Sequence, residues 1–115
     1  MADGCLFCRI AAGEIPCKKA AESEDVLAFH DIAPQAPVHV LIIPRKHLAS
    51  VTESEESDQL LLGKLLLTAK RIAKDLGVAG DGYRLVINNG PDAQQSVGHL
   101  HIHLLAGRKL GWPPG

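Results

Sequence analysis

The chain has 115 residues, 46% of them hydrophobic and 22% charged, an ordinary globular composition with room for one domain, 1–115, and not for a second core. A formal net charge of −1 supplies no field for gripping a nucleic acid, and no stretch is apolar for long enough to span a bilayer, so no nucleic-acid and no membrane partner is expected. With no apolar leader at the N-terminus, a cytoplasmic protein is expected.

The first predicted element is a short helix over residues 5–12, stopped by Gly13, with Ile15-Pro16 marking the turn that follows. It carries Cys5-Leu6-Phe7-Cys8. Three cysteines, an odd number without a secretion signal, do not suggest a disulfide framework. On its own the Cys-x2-Cys knuckle is open between a zinc half-site, a redox pair and coincidence. A redox reading lacks a strand before Cys5, and a zinc site needs two more ligands, for which the histidines are candidates.

Two apolar runs come next, Val26–His30 and Val38–Ile43, each bounded by Asp or Pro as strands are. Thr52-Glu53-Ser54-Glu55 offers a capping box for a long helix that reaches about Leu76 and closes at Gly77. Leu61, Leu62, Leu65, Leu66, Ala69, Ile72, Ala73 and Leu76 trace its apolar stripe. Leu60 and Leu67 widen the stripe, which suggests a second buried contact such as a subunit interface. Tyr83–Asn88 and the segment beginning at His99 are the last two strands. Strands, one main helix and more strands give an α+β antiparallel sheet.

The segment His99-Leu100-His101-Ile102-His103-Leu104-Leu105 carries the chemistry. Side chains alternate faces along a strand, so the three histidines project from one face and Leu100, Ile102 and Leu104 from the other. An imidazole near neutrality serves as nucleophile, proton donor or metal ligand. With Ser96 just upstream, three of them on one face describe a site.

This pattern resembles the motif of the histidine triad (HIT) superfamily of nucleotide hydrolases and transferases. The likeness extends to Asn88, Gln95-Ser96-Val97, the ending Gly107-Arg108 and Gly111-Trp112-Pro113-Pro114-Gly115, and upstream to Phe29–His39 and Ile43–His47. These flanks are similar to the Hint branch, the purine nucleoside phosphoramidases. The resemblance implies a HIT-like fold, an antiparallel sheet of about five strands with one long and one short helix. It also implies a purine nucleotide substrate such as an AMP or GMP adduct, and a homodimer.

By the same resemblance His101 is the nucleophile that forms a nucleotidyl-histidine, and the carbonyl of His99 sets its tautomer. His103 bonds a non-bridging phosphate oxygen, and Ser96 serves the departing nitrogen. Phe29, His30, Asp31 and Ile32 form the nucleoside end, with Asp31 on the ribose hydroxyls. Asn88, Gln95, Val97 and Trp112 complete the nucleotide-binding set. By composition alone Asp31 reads better as a turn cap before Ala33-Pro34, and Asn88 as a turn residue. His39, mid-strand among apolar neighbours, reads as a structural histidine with an orienting role open to it. Gln94 departs from the branch, which usually carries Gly before the Gln-Ser pair, and a side chain there bears on the loop beside the phosphate.

Several HIT members with the N-terminal Cys pair hold a structural zinc, and the residues that the resemblance matches here are Cys5, Cys8, His47 and His99. Two thiolates and two imidazoles suit closed tetrahedral zinc, with no open position, so no catalytic metal is expected. Cys17 has no partner pattern. The competing readings are a dinucleoside polyphosphate hydrolase and a non-catalytic nucleotide- or zinc-binding module. An intact Ser96, His101 and His103 speaks against the second.

Overall fold

Val26–His30 and Val38–Pro44 do form strands, and they sit side by side in the middle of the molecule. In the computed structural model, which describes residues 4–115, the elements run α1 (Leu6–Ala11), β1 (Lys19–Glu22), β2 (Val26–His30), β3 (Val38–Pro44), α2 (Gln59–Asp75), β4 (Tyr83–Ile87) and β5 (Ile102–Ala106). The strands make one antiparallel sheet in the order β1-β2-β3-β5-β4. No helix among the described residues is long and apolar enough to cross a membrane.

The register sorts side chains onto two faces. Ala28 pairs with Ile42 and Val40 with Leu104, and these point toward α2. There Val26, Ala28, Val40, Ile42, Leu100, Ile102 and Leu104 pack with Leu65, Ala69, Ile72 and Ala73 of the helix. Each buried Leu or Ile contributes about 1.5–3 kcal/mol of transfer free energy. On the opposite face Leu27, Phe29, Leu41 and Ile43 pack under Phe7 of α1. Strands covered on both sides must be apolar throughout, which is why these runs carry no alternation.

Three local expectations are corrected. The histidine segment is assigned as strand only from Ile102, with His99 in a bend and His101 just before β5, yet the alternation of faces persists through all three. β1 is a strand that composition did not signal: Lys-Ala-Ala-Glu has neither β-branched nor aromatic residues. The cap of the long helix is not at Thr52, whose amide and hydroxyl both turn to the Asn89 side-chain oxygen, at 2.8 and 3.0 Å. Instead a reciprocal box joins Glu55 to Asp58 and opens a 3-10 turn, Glu56–Asp58, that leads into α2. Asp58 is 3% exposed and accepts from the Glu55 amide and from Lys46 Nζ, at 2.8 and 2.7 Å. Those bonds, the Lys46 one first, hold its carboxyl below the usual carboxylate range.

Between β4 and β5 the chain makes a loop braced by one side chain. Gln95 accepts from the Gly90 amide at 2.9 Å and donates to the carbonyls of Ala49 and Val97, at 2.7 and 3.0 Å. Gln94 beside it has φ 60°, the left-handed region that a side chain disfavours by about 1–2 kcal/mol. Gln94→Gly relieves that strain and frees the unfolded chain, so a net gain of about 0.5–1 kcal/mol is expected, read as a higher urea midpoint. A lower midpoint would mean that the Gln94 side chain contributes a contact of its own. Gly107 is needed for a different reason: a Cβ there would lie 2.7 Å from Pro37 Cβ, at φ 95°.

Candidate active site

The register of β3 and β5 brings the histidines together. Leu41 lies across from His103, so His39, two residues along β3, falls beside the His103 ring, with the centroids 5.2 Å apart. His101 and His103 pack edge to face at 4.9 Å, and Phe7 meets the His101 ring at 5.2 Å and 88°.

The proton positions follow from which partners can only donate or only accept. The His99 carbonyl lies 2.8 Å from His101 Nδ1 and can only accept, so that nitrogen carries the proton, and in the neutral ring Nε2 keeps its lone pair. The Gln35 amide, 3.0 Å from His39 Nδ1, can only donate, so the proton of neutral His39 is on Nε2. From there it reaches His103 Nδ1 at 2.9 Å, leaving His103 Nε2–H as a donor. Asp31 Oδ2 stands 3.4 Å from His39 Nε2, while Oδ1 accepts from the Ala33 amide at 2.8 Å. Asp31 therefore caps its turn with one oxygen and keeps the other for the cavity side.

Burial is the main cause that lowers the affinity of His39 for a proton, against the pull of Asp31. Burial, with His101 and His39 close by, pushes His103 down to about 4. Both rings are neutral in the fold, whereas in the unfolded chain they charge near pH 6.5. The unfolded state binds more protons between about pH 6.5 and 4, so stability is lost as the pH falls through that window. His103 keeps some solvent contact, and the expected loss is on the order of 2 kcal/mol. Urea unfolding at pH 7 and pH 4.5 measures it, and equal midpoints would contradict the buried neutral pair. The lowered carboxylates lose their contributions as the pH falls below their ordinary values, Glu22 from 4.5 at the foot of this window and Asp58 from 3.8 beneath it.

A cavity of about 300 Å³ opens in front of these rings. His101, His103, Asp31, His30 and Ser96 line it with Phe29, Val97 and Ile32. Ile32 is 99% exposed and stands at the rim, whereas Phe29 is part of the wall. Ser96 and Val97 also border a second hollow beside Cys5, His47 and Gly98. Asn88, Gln95 and Trp112 are not brought to the main cavity within this chain. Gln95 is occupied in bracing its loop. Trp112 is 81% exposed, with the Arg84 guanidinium 5.8 Å above its ring. Sequence reasoning passed over Leu6, Phe7, Ile10, Ile15, Pro16, Cys17 and Leu41, which form the apolar wall. Ile10, Ile15 and Cys17 offered only apolar character near Gly13 and Pro16, Leu6 and Phe7 only their place between two cysteines, and Leu41 only its place in an apolar run.

Cys5, Cys8, His47 and His99 converge, each offering one donor atom within 4.8 Å of the others. Cys5 Sγ and Cys8 Sγ lie 3.3 and 3.5 Å from His99 Nδ1. His47 Nδ1 is 3.2 Å from both Cys8 Sγ and His99 Nδ1. Tetrahedral zinc with its usual bond lengths separates nitrogens by about 3.3 Å and sulfur from nitrogen by about 3.5 Å. The donor set fits that ion. His99 Nε2–H donates to the Pro44 carbonyl at 2.8 Å, which leaves Nδ1 free for a metal and fixes the ring. Burial and the neighbouring Cys5 hold the Cys8 thiol up at about 11, a cost that a bound cation removes.

Comparison with known proteins yields one family. The HIT domain model matches residues 12–110. An uncharacterized HIT-like protein of Synechocystis sp. is 51% identical over 115 residues, covering 100% of each chain. The crystal structure of a HIT family hydrolase from Legionella pneumophila superposes with a TM-score of 0.96 at 49% identity, covering 97% of this chain and 100% of that one. A histidine triad nucleotide-binding protein from Candida albicans superposes with a TM-score of 0.81 at 35% identity, over 97% of this chain and 85% of that one.

Proposed function

The chain belongs to the HIT domain family, and from that membership we propose that it is a nucleotide-binding hydrolase that cleaves the P–N bond of purine nucleoside 5′-phosphoramidates. The observation that carries this reading is the His101 tautomer: a carbonyl holds Nδ1–H, so the neutral form of the ring keeps its lone pair on Nε2, in a side chain that lines the cavity. Such a group attacks phosphorus, the P–N bond breaks, and a nucleotidyl-histidine forms. The amine departs with a proton passed from the Ser96 hydroxyl, which is restored from water. Water then displaces His101 and gives the nucleoside monophosphate. Through both displacements His103 Nε2–H bonds a non-bridging oxygen, where charge must be stabilised. A neutral His103 does this without trapping the anionic product. At the other end Asp31 Oδ2 accepts from the ribose, and Phe29 and its neighbours enclose the base.

The metal set stands apart from this chemistry. Zinc held by Cys5, Cys8, His47 and His99 would supply a structural tie, with all four positions filled by protein. The proposal includes a homodimer in a cytoplasmic setting. β4 is an edge of the sheet, and Val51, Leu66 and Ile87 beside it are exposed apolar side chains around a shallow cleft. Pairing two copies covers that face and brings Trp112 of one tail toward the leaving-group side of its neighbour. Light scattering should give twice the chain mass at micromolar concentration. Trp112→Ala should change the ranking of amine leaving groups several-fold while AMP affinity stays nearly constant; a monomer, or an unchanged ranking, contradicts the arrangement.

The proposed reaction is tested by comparing kcat/KM on AMP-morpholidate or AMP-lysine with kcat/KM on diadenosine polyphosphates. Preference for the phosphoramidates supports the proposal. Preference for the polyphosphates transfers the same nucleophile to a dinucleoside polyphosphate hydrolase, and absence of turnover on both favours a binding module.

A further inference from the structure

Helix α1 is six residues long, too short to persist by its own hydrogen bonds. What holds it is at its two sides. Cys5 caps it, accepting from the Cys8 amide at 3.4 Å, and both sulfurs face His47 and His99. From the same turns Leu6, Phe7 and Ile10 reach the other way and form wall of the nucleotide cavity. Phe7 is the link, with its ring 5.5 Å from Phe29, 6.0 Å from His99 and 5.2 Å from His101. One short element thus carries half of a metal donor set on one side and part of a cavity wall on the other.

We propose that α1 couples the two sites: a cation in the Cys5–Cys8–His47–His99 cluster clamps α1 to the sheet, and metal binding and nucleotide binding strengthen each other. The inference rests on the nucleotide-binding reading above and adds to it a dependence on metal. With the cation removed, the C-terminal end of α1 stays held by Arg45 Nη1, which donates to the Ala11 carbonyl at 3.0 Å, and by the packing of Ile10 and Ala11, while its N-terminal turn keeps only Phe7 and weak thiol contacts. A nucleotide must then order Leu6 and Phe7 as it binds, and that ordering weakens its affinity. Linkage requires the reverse as well, because a nucleotide that packs against α1 holds the two cysteines in place for the metal by the same factor. The reacting groups are insulated from this effect. His101 is held by the His99 carbonyl and the His99 ring by the Pro44 carbonyl, and neither bond needs the cation. Leu6 and Phe7 are therefore positioning residues for binding, and metal loading should be read in KM rather than in kcat.

The experiment measures zinc release from the loaded protein to a chromogenic chelator, with and without saturating AMP, together with the AMP Kd of loaded and stripped protein. AMP should lower the zinc dissociation constant about tenfold, and stripping should raise the AMP Kd by the same factor, within the usual range of coupling between sites. In turnover, KM should rise about tenfold while kcat per folded molecule changes less than twofold. Zinc release from the loaded protein starts from a folded chain, so it remains decisive if the stripped protein unfolds. Equal zinc release with and without AMP, when AMP and zinc each bind, overturns the coupling and leaves the nucleotide reading standing. Failure of loaded protein to bind AMP at all removes that reading and the coupling with it.

Discussion

His101→Ala should abolish turnover, lowering kcat by about 10³-fold or more, while AMP binds within a few-fold of its normal affinity. The size of the loss follows from what is removed. Without Nε2 the reaction must proceed by direct attack of water, because His103, whose Nδ1 accepts from His39 at 2.9 Å, offers only a donor, Nε2–H. Binding survives because Asp31 and Phe29 belong to β2 and the turn after it, and His103 is fixed through His39 rather than through His101. Mass spectrometry of wild-type protein quenched during turnover should show one nucleotidyl adduct, located on the peptide that contains His101. A variant that keeps a substantial fraction of turnover, or an adduct on another residue, ends the covalent mechanism.

Removal of the metal should be the largest stability effect. Purified from zinc-supplemented medium, the protein should carry about one ion per chain, and Cys8→Ser should lose it. A site filled at about a thousand times its dissociation constant adds about 4 kcal/mol, so chelation should lower Tm by roughly 15 °C. The effect is large because the donor atoms come from α1, from the segment after β3 and from the start of the histidine segment, which no single hydrophobic cluster joins. Turnover at saturating substrate should barely change, since the donor set fills every coordination position. A fully folded, metal-free protein whose Cys5 and Cys8 react freely with a thiol reagent, and whose Tm ignores chelator, would falsify the zinc assignment.

Both expectations could be framed from the sequence, but unequally. The alternation of His99, His101 and His103 with Leu100, Ile102 and Leu104 is a property of extended backbone, and it survived even where His99 and His101 lie outside the assigned strand. The stripe of α2 was legible for the same reason through Leu65, Ala69, Ile72 and Ala73, whereas Leu66 and Leu76 of that stripe are exposed, and β2 and β3, covered on both sides, carry no alternation that assigns their faces. Apolar periodicity is written locally and imposed by backbone geometry. The four metal donors were named through resemblance, and the donor atoms meet as that resemblance implies.

What the sequence left open depends on groups far apart along the chain. Thr52 matches a helix cap, but its contact with Asn89 and the bond from the Glu55 amide to Asp58 move the cap to Glu55. His39 looked like a core histidine because its partner, His103, stands 64 residues away and reaches it only through the β3–β5 register. Asp31 divides its two oxygens between a turn and the His39 side, so the turn role that composition favours leaves one oxygen for the proposed ribose contact. Gln95 was placed on the nucleotide and is found holding its loop. The sequence by itself determined which segments are apolar and which residues can do the chemistry, because side-chain type and backbone period are local. Only the tertiary structure decided their proton positions and partners, because a hydrogen bond needs a specific donor brought to about 3 Å, and register and loop closure control that approach.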